Sequence, residues 1–132
     1  MKKIAFSLFL LAGMFVQKTA AQSIFEKWPA LNSFHSVMSQ TFHPAEEGNL
    51  APIKSRSGEM ASKAAELAKS VVPAEFNQAP ILAAVKQLRK DSKKLDKLVG
   101  KSKTTDAQIT QSLTALHDVF HKIVGLCRDE NH

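Results

Sequence analysis

The segment LTALHDVFHKIVGLC, residues 113–127, sets His117 and His121 four apart. On a helix that spacing turns both imidazoles to one side, and neutral imidazole is the commonest protein ligand of a transition metal. Three more histidines occur, at positions 35, 43 and 132. His43 stands in TFHPAEEGN, where Glu46 and Glu47 follow it by three and four residues. Imidazole with carboxylate suits Zn²⁺, Ni²⁺, Fe or Cu²⁺. The candidate metal ligands are therefore His35, His43, His117, His121, Glu46 and Glu47. Enzyme chemistry has little support: there is no nucleophile motif, no glycine-rich phosphate loop and no His three residues after a Glu. A metal site with an open position can be hydrolytic or redox active, but no residue pattern selects a substrate.

Four apolar stripes supply the elements that position these residues. Positions 24, 28, 31, 35, 38 and 42 read Ile, Trp, Leu, His, Met, Phe, and 53, 57, 60, 64, 67 and 71 read Ile, Ser, Met, Ala, Leu, Val. Positions 81, 85, 88, 92, 95 and 99 read Ile, Val, Leu, Ser, Leu, Val, and 109, 113, 116, 120, 123 and 127 read Ile, Leu, Leu, Phe, Ile, Cys. Each steps 4-3-4-3-4, the seam of a helix packed against others. The first helix should start between Ser23 and Pro29, the former in a capping-box pattern with Glu26. Thr105 and Gln108 form a second box ahead of the fourth helix. Asn49 and Asn77 stand as caps, each with a proline in the following first turn. Pro44 should kink or end the first helix. The connections, about 43–48, 72–76 and 100–104, are short. The expected fold is all-α, an up-down-up-down antiparallel four-helix bundle.

In that topology the first and fourth helices are neighbours running in opposite directions. Setting His35 level with His121 puts Ser39 near His117 and His43 near Leu113. His35 and His43 are then ~12 Å apart along the helix, too far for one ion to take both readily. One site would use His117, His121 and either of them; two sites, or a bent helix, would use all four. His35 is the sharpest break in the apolar stripes, because a buried imidazole needs partners for two nitrogens.

The pattern resembles the cytochrome b562 and cytochrome c′ class of periplasmic four-helix bundles, in architecture over residues 22–132 and in the segment VFHK, 119–122, which looks like the haem-ligand segment of the fourth helix. That resemblance implies haem b as an alternative cofactor, with His121 and either Met38 or His35 as axial ligands, and an electron-carrier function. No Cys-x-x-Cys-His occurs, so covalent haem attachment is excluded. A metal-free module that binds protein partners is the third reading.

The opening MKKIAFSLFLLAGMFVQKTAAQS has a basic start, an apolar run and small residues at Ala20-Ala21. It reads as a signal peptide over 1–21, cleaved after Ala21, and hence as a periplasmic protein with one domain over 22–132 and no membrane span in the mature chain. The chain carries 18 basic and 12 acidic residues; loss of Lys2, Lys3 and Lys18 leaves 15 against 12, a net +3. Nucleic-acid binding thereby loses its electrostatic support. The third helix carries KQLRKDSKKLDKLVGKSK, residues 86–103, either a solvated face or a docking face for an acidic protein partner or anionic lipid. Cys127 cannot form an internal bridge and reads as a small buried residue.

Overall fold

A computed structural model describes residues 20–129, with side chains from Ile24 onward. Residues 1–19 of the expected signal peptide, and His132, lie outside the described residues. The described chain is all-α. It comprises α1 (Ala20–Lys27), α2 (Pro29–Glu46), α3 (Ala51–Lys69), a 3₁₀ turn at Ala74–Phe76, α4 (Ala79–Val99) and α5 (Asp106–Asp129), with no strand among the described residues.

Four stripes yield five helices because Pro29 divides the first. Proline's Cδ crowds the residue before it out of the helical region, and Trp28 accordingly sits at φ −127°, ψ 81°. The hydrogen bonds bridge the break: Trp28 N–H donates to the Ile24 carbonyl at 2.9 Å, and the Trp28 carbonyl accepts from Leu31 N–H at 3.0 Å. Ser23 therefore lies inside α1, which already begins at Ala20, rather than at a cap. The Trp28 indole is buried, donates to Ser70 Oγ at 2.9 Å and stacks near Phe76 at 6.1 Å between centroids. Ser70 Oγ in turn donates to the Leu67 carbonyl at 2.7 Å. The head of α2, the foot of α3 and the 3₁₀ turn thus meet at one side chain.

Pro44, expected to kink or end the helix, sits inside α2, which continues to Glu46. What ends it is Gly48, at φ +86°. Its N–H donates to the Ala45 carbonyl at 3.0 Å, and Asn49 N–H donates to the Pro44 carbonyl at 2.9 Å. This is a Schellman closure, which needs a left-handed residue at that position. The caps of α3 and α4 fall at Leu50 and Gln78, one residue after the expected asparagines. Asn49 still accepts from Ala51 N–H at 3.1 Å through its side chain. At α5 the capping box closes in both directions: Gln108 Oε1 accepts from Thr105 N–H at 2.8 Å, and Thr105 Oγ1 from Gln108 N–H at 3.2 Å.

Nearly every stripe position is buried, and the buried side chains form one cluster that includes Cys127. Val71 is 93% exposed because α3 stops at Lys69 and Ser70 is already extended. The other exceptions, His35, Phe42 and Val99, are half-buried. Polar bonds join the helices at their rims. Arg56 of α3 reaches Gln40 of α2 at 2.6 Å, Ser57 of α3 donates to Asp96 of α4 at 2.7 Å, and Lys54 of α3 pairs with Asp106 of α5 at 2.7 Å. The pairs α2–α3, α3–α4 and α4–α5 pack extensively, whereas α2 and α5 touch sparingly and α1 lies against both. One seam of the molecule is therefore loosely closed, and the histidines lie there.

Trp28→Phe removes one donor from a buried bond and should cost ~0.5–1.5 kcal/mol in urea unfolding. Combined with Ser70→Ala, the two losses should sum to less than their separate values; strict additivity would show that the bond contributes nothing.

Candidate metal-binding site between α2 and α5

Two stacks of rings fill the loose seam. In the first, α1 lays Phe25 on His35 (centroids 4.6 Å, planes 8° apart), and Phe120 of α5 lies nearly parallel to both, 5.3 Å from the imidazole (9°) and 6.4 Å from Phe25 (2°). In the second, Phe42 of α2 lies on His117 of α5 (3.7 Å, 11°). His121 then meets His117 edge to face at 4.3 Å, and the two Nε2 atoms stand 3.1 Å apart. Between the stacks is a cleft of ≈ 180 Å³, lined by His35, Met38, Ser39, Phe42, His43, His117, Phe120 and His121.

Ser39 lines the cleft with His117, as the expected alignment has it, whereas His43 lines that cleft too and Leu113 shares a second groove with Phe42 and Ala45. The histidines nevertheless divide into different environments. His117 and His121 meet nitrogen to nitrogen. His35 lies flat against Phe25, with the Phe120 ring beside them. Its nitrogens keep contact with solvent, since Ser92 Oγ is the one buried polar side-chain atom without a partner among the described residues. His43 points outward and its Nδ1 lies 3.3 Å from Glu46 Oε2, both side chains more than half exposed. Glu47 is exposed at the C-cap of α2 and does not line the cleft. Met38 is buried in the core at 1% exposure. Among the described residues, no three His, Cys, Asp or Glu side chains converge as ligands of one ion. The expected three- or four-ligand set is therefore reduced to a pair. The aromatic rings are the reason: Phe25 and Phe120 engage His35, and Phe42 stands between the His43 end of α2 and His117.

Those phenyl rings line the candidate site without any signal in the pattern of histidines. Phe42 and Phe120 sit on stripe positions and read as plain core. Only their adjacency to His43 and His121 in sequence hinted at another role.

Charge follows the same geometry. Burial lowers the pKa of His35, and the nearby His121 and His43 lower it further. Burial also lowers that of His117, helped by His121 and opposed by Asp118 and Glu46. Two Nε2 atoms in contact hold at most one proton between them, donated from one ring to the lone pair of the other. Binding one metal ion through both Nε2 atoms requires that proton to leave Nε2.

Comparison with protein-family models, curated proteins and solved structures finds no match to the chain. The site is read from its own geometry.

A histidine whose folded pKa is depressed binds fewer protons folded than unfolded. It costs no stability above the unfolded value of about 6.5 and lowers stability as pH falls below it toward the folded pKa. Urea midpoints measured on either side of that value should show the protein weakening on acidification. His35→Phe, which keeps the stack, should weaken less; an equal loss would place the acid sensitivity elsewhere.

Proposed function

We propose that this chain is an exported metal-binding protein in which His117 and His121 chelate one divalent first-row transition ion, with the remaining positions open to water or an incoming donor. The observation that carries this is the 3.1 Å between the two Nε2 atoms. Two imidazoles bound to one ion at ~2.0–2.1 Å subtend that separation at an angle of about 100°, between the square-planar and tetrahedral values. The pair sits on consecutive turns of one long helix, and Phe42 fixes the plane of one ring, so little freedom is lost on binding.

His43 is the donor best placed to complete the site. It lies within electrostatic range of His117, and its exposed pair with Glu46 is of a kind that stabilises by only ~0–1 kcal/mol. Turning His43 inward would free Glu46 to follow. The fold is read as an up-down-up-down antiparallel bundle of α2 to α5, with α1 folded over one seam. Supporting this are the short connections and the rim contacts, which pair the end of α2 with the start of α3 and the start of α3 with the end of α4. Export to the periplasm rests on the signal-like segment 1–21.

A haem reading, with His121 and Met38 or His35 as axial ligands, is less favoured. The ≈ 180 Å³ of the cleft falls below the ~300–1,000 Å³ of pockets that enclose organic ligands, and Met38, on the cleft wall, is packed to 1% exposure.

Calorimetric titration with Zn²⁺ and Cu²⁺, together with elemental analysis and a visible spectrum of the purified protein, tests the proposal. One equivalent should bind, more weakly below pH ~6.5 as protons compete. His117→Ala and His121→Ala should each weaken binding by ~10-fold or more, His43→Ala by less, and Glu47→Gln not at all. Absence of binding, with the melting temperature unmoved by either ion, would make the histidines structural. A haem band would replace the ion with the cofactor.

A further inference from the structure

The segment from Lys86 to Lys103 holds eight cations and two acids, a net +6, which equals the formal charge of the whole chain. Everything else balances, ten cations against ten acids, and beyond residue 21 it is acidic, seven against ten. Within α4 the cations Lys86, Arg89, Lys90, Lys93, Lys94 and Lys97 are all exposed. At 100° per residue they fall on one side of the helix, opposite the buried stripe of Ile81, Val85, Leu88, Ser92 and Leu95. Lys101 and Lys103 are exposed in the turn that follows.

None of these cations is in an ion pair among the described residues, whereas Lys27, Lys54, Arg56 and Lys63 all are. The two acids of α4 lie off the ridge and face internal partners: Asp91 accepts from Gln87 at 2.8 Å, and Asp96 from buried Ser57 at 2.7 Å. The ridge is ~17 Å long from Lys86 to Lys97. At its N-terminal end, on the first turn of α4, stands Leu82, 41% exposed.

We infer that the outer face of α4 is a peripheral docking surface for an anionic phospholipid bilayer. A band of unpaired cations along one side of a helix can meet a plane of phosphates whatever the register. Exposed Leu82 at its end gives the headgroup boundary something to take up. The contact is peripheral: no described helix is long and apolar enough to cross a membrane. It is independent of the histidine cleft, since α4 is no part of that site.

Vesicle co-sedimentation tests this, comparing phosphatidylcholine alone with phosphatidylcholine containing about one-third phosphatidylglycerol. The protein should bind only the anionic vesicles, and release them when salt rises from ~0.05 M to ~0.5 M. Each ridge cation should contribute about five-fold, so joint replacement of Lys90, Lys93, Lys94 and Lys97 by Gln should weaken binding by ~100-fold or more. The same number of Lys→Gln changes at Lys54, Lys63, Lys69 and Lys122 should weaken it far less. Circular dichroism checks that both variants keep their helices. Failure to bind anionic vesicles at low salt overturns the inference, as does an equal loss in both variants. Capture by poly-glutamate through the same lysines, without vesicle binding, would assign the face to an acidic protein instead.

Discussion

The amide of Pro29 is the constraint from which the shape of the site follows. It denies Trp28 a helical backbone, so a helix that would run straight from Ala20 to Glu46 is broken near its start. α1 is thereby free to lie against α5 as well as α2. The turn is fixed rather than loose, because the side chain at the break is buried and hydrogen-bonded to Ser70. Only with α1 in that position does Phe25 reach the His35 ring. A backbone restriction at one residue is thus converted into the ordering of an imidazole two turns away.

Much of this was legible in the chain. The 3.5-residue rhythm identified the helical segments after residue 50 and most core positions, because burial is a periodic property that short-range spacing records; Phe34, Val37, Leu50 and Phe76 are buried off the stripes. The Thr105–Gln108 box was legible for a similar reason, its two bonds being local. The end of α2 was misjudged because two signals compete there. Pro44 looks like a breaker, but a proline disturbs mainly the turn before it, and the helix closes only where Gly48 supplies a left-handed residue. The Asn caps slipped by one residue for want of any long-range marker.

The histidines show where spacing stops being informative. The i, i+4 relation of His117 and His121 lies within one helix, and the Nε2 contact follows from it directly. Whether His35 or His43 joins them depends on rotamers and on which neighbour claims each ring. Phe25 comes from a different helix and Phe120 from the opposite wall. A phenyl face and a metal ion compete for the same imidazole, and no pattern in the sequence ranks them. The outcome is a graded set: one ring stacked on a phenyl, one paired with a carboxylate, two in contact with each other.

The placement of charge has a mechanical consequence. Positive charge is gathered on α4, while α3 and α5 stand between that helix and α2. The folded chain therefore has a large permanent dipole moment, its positive pole on the outer face of α4. In any gradient of electrical potential it experiences a torque as well as a pull. It turns before it touches, and arrives at a negatively charged surface with α4 leading and α2 trailing.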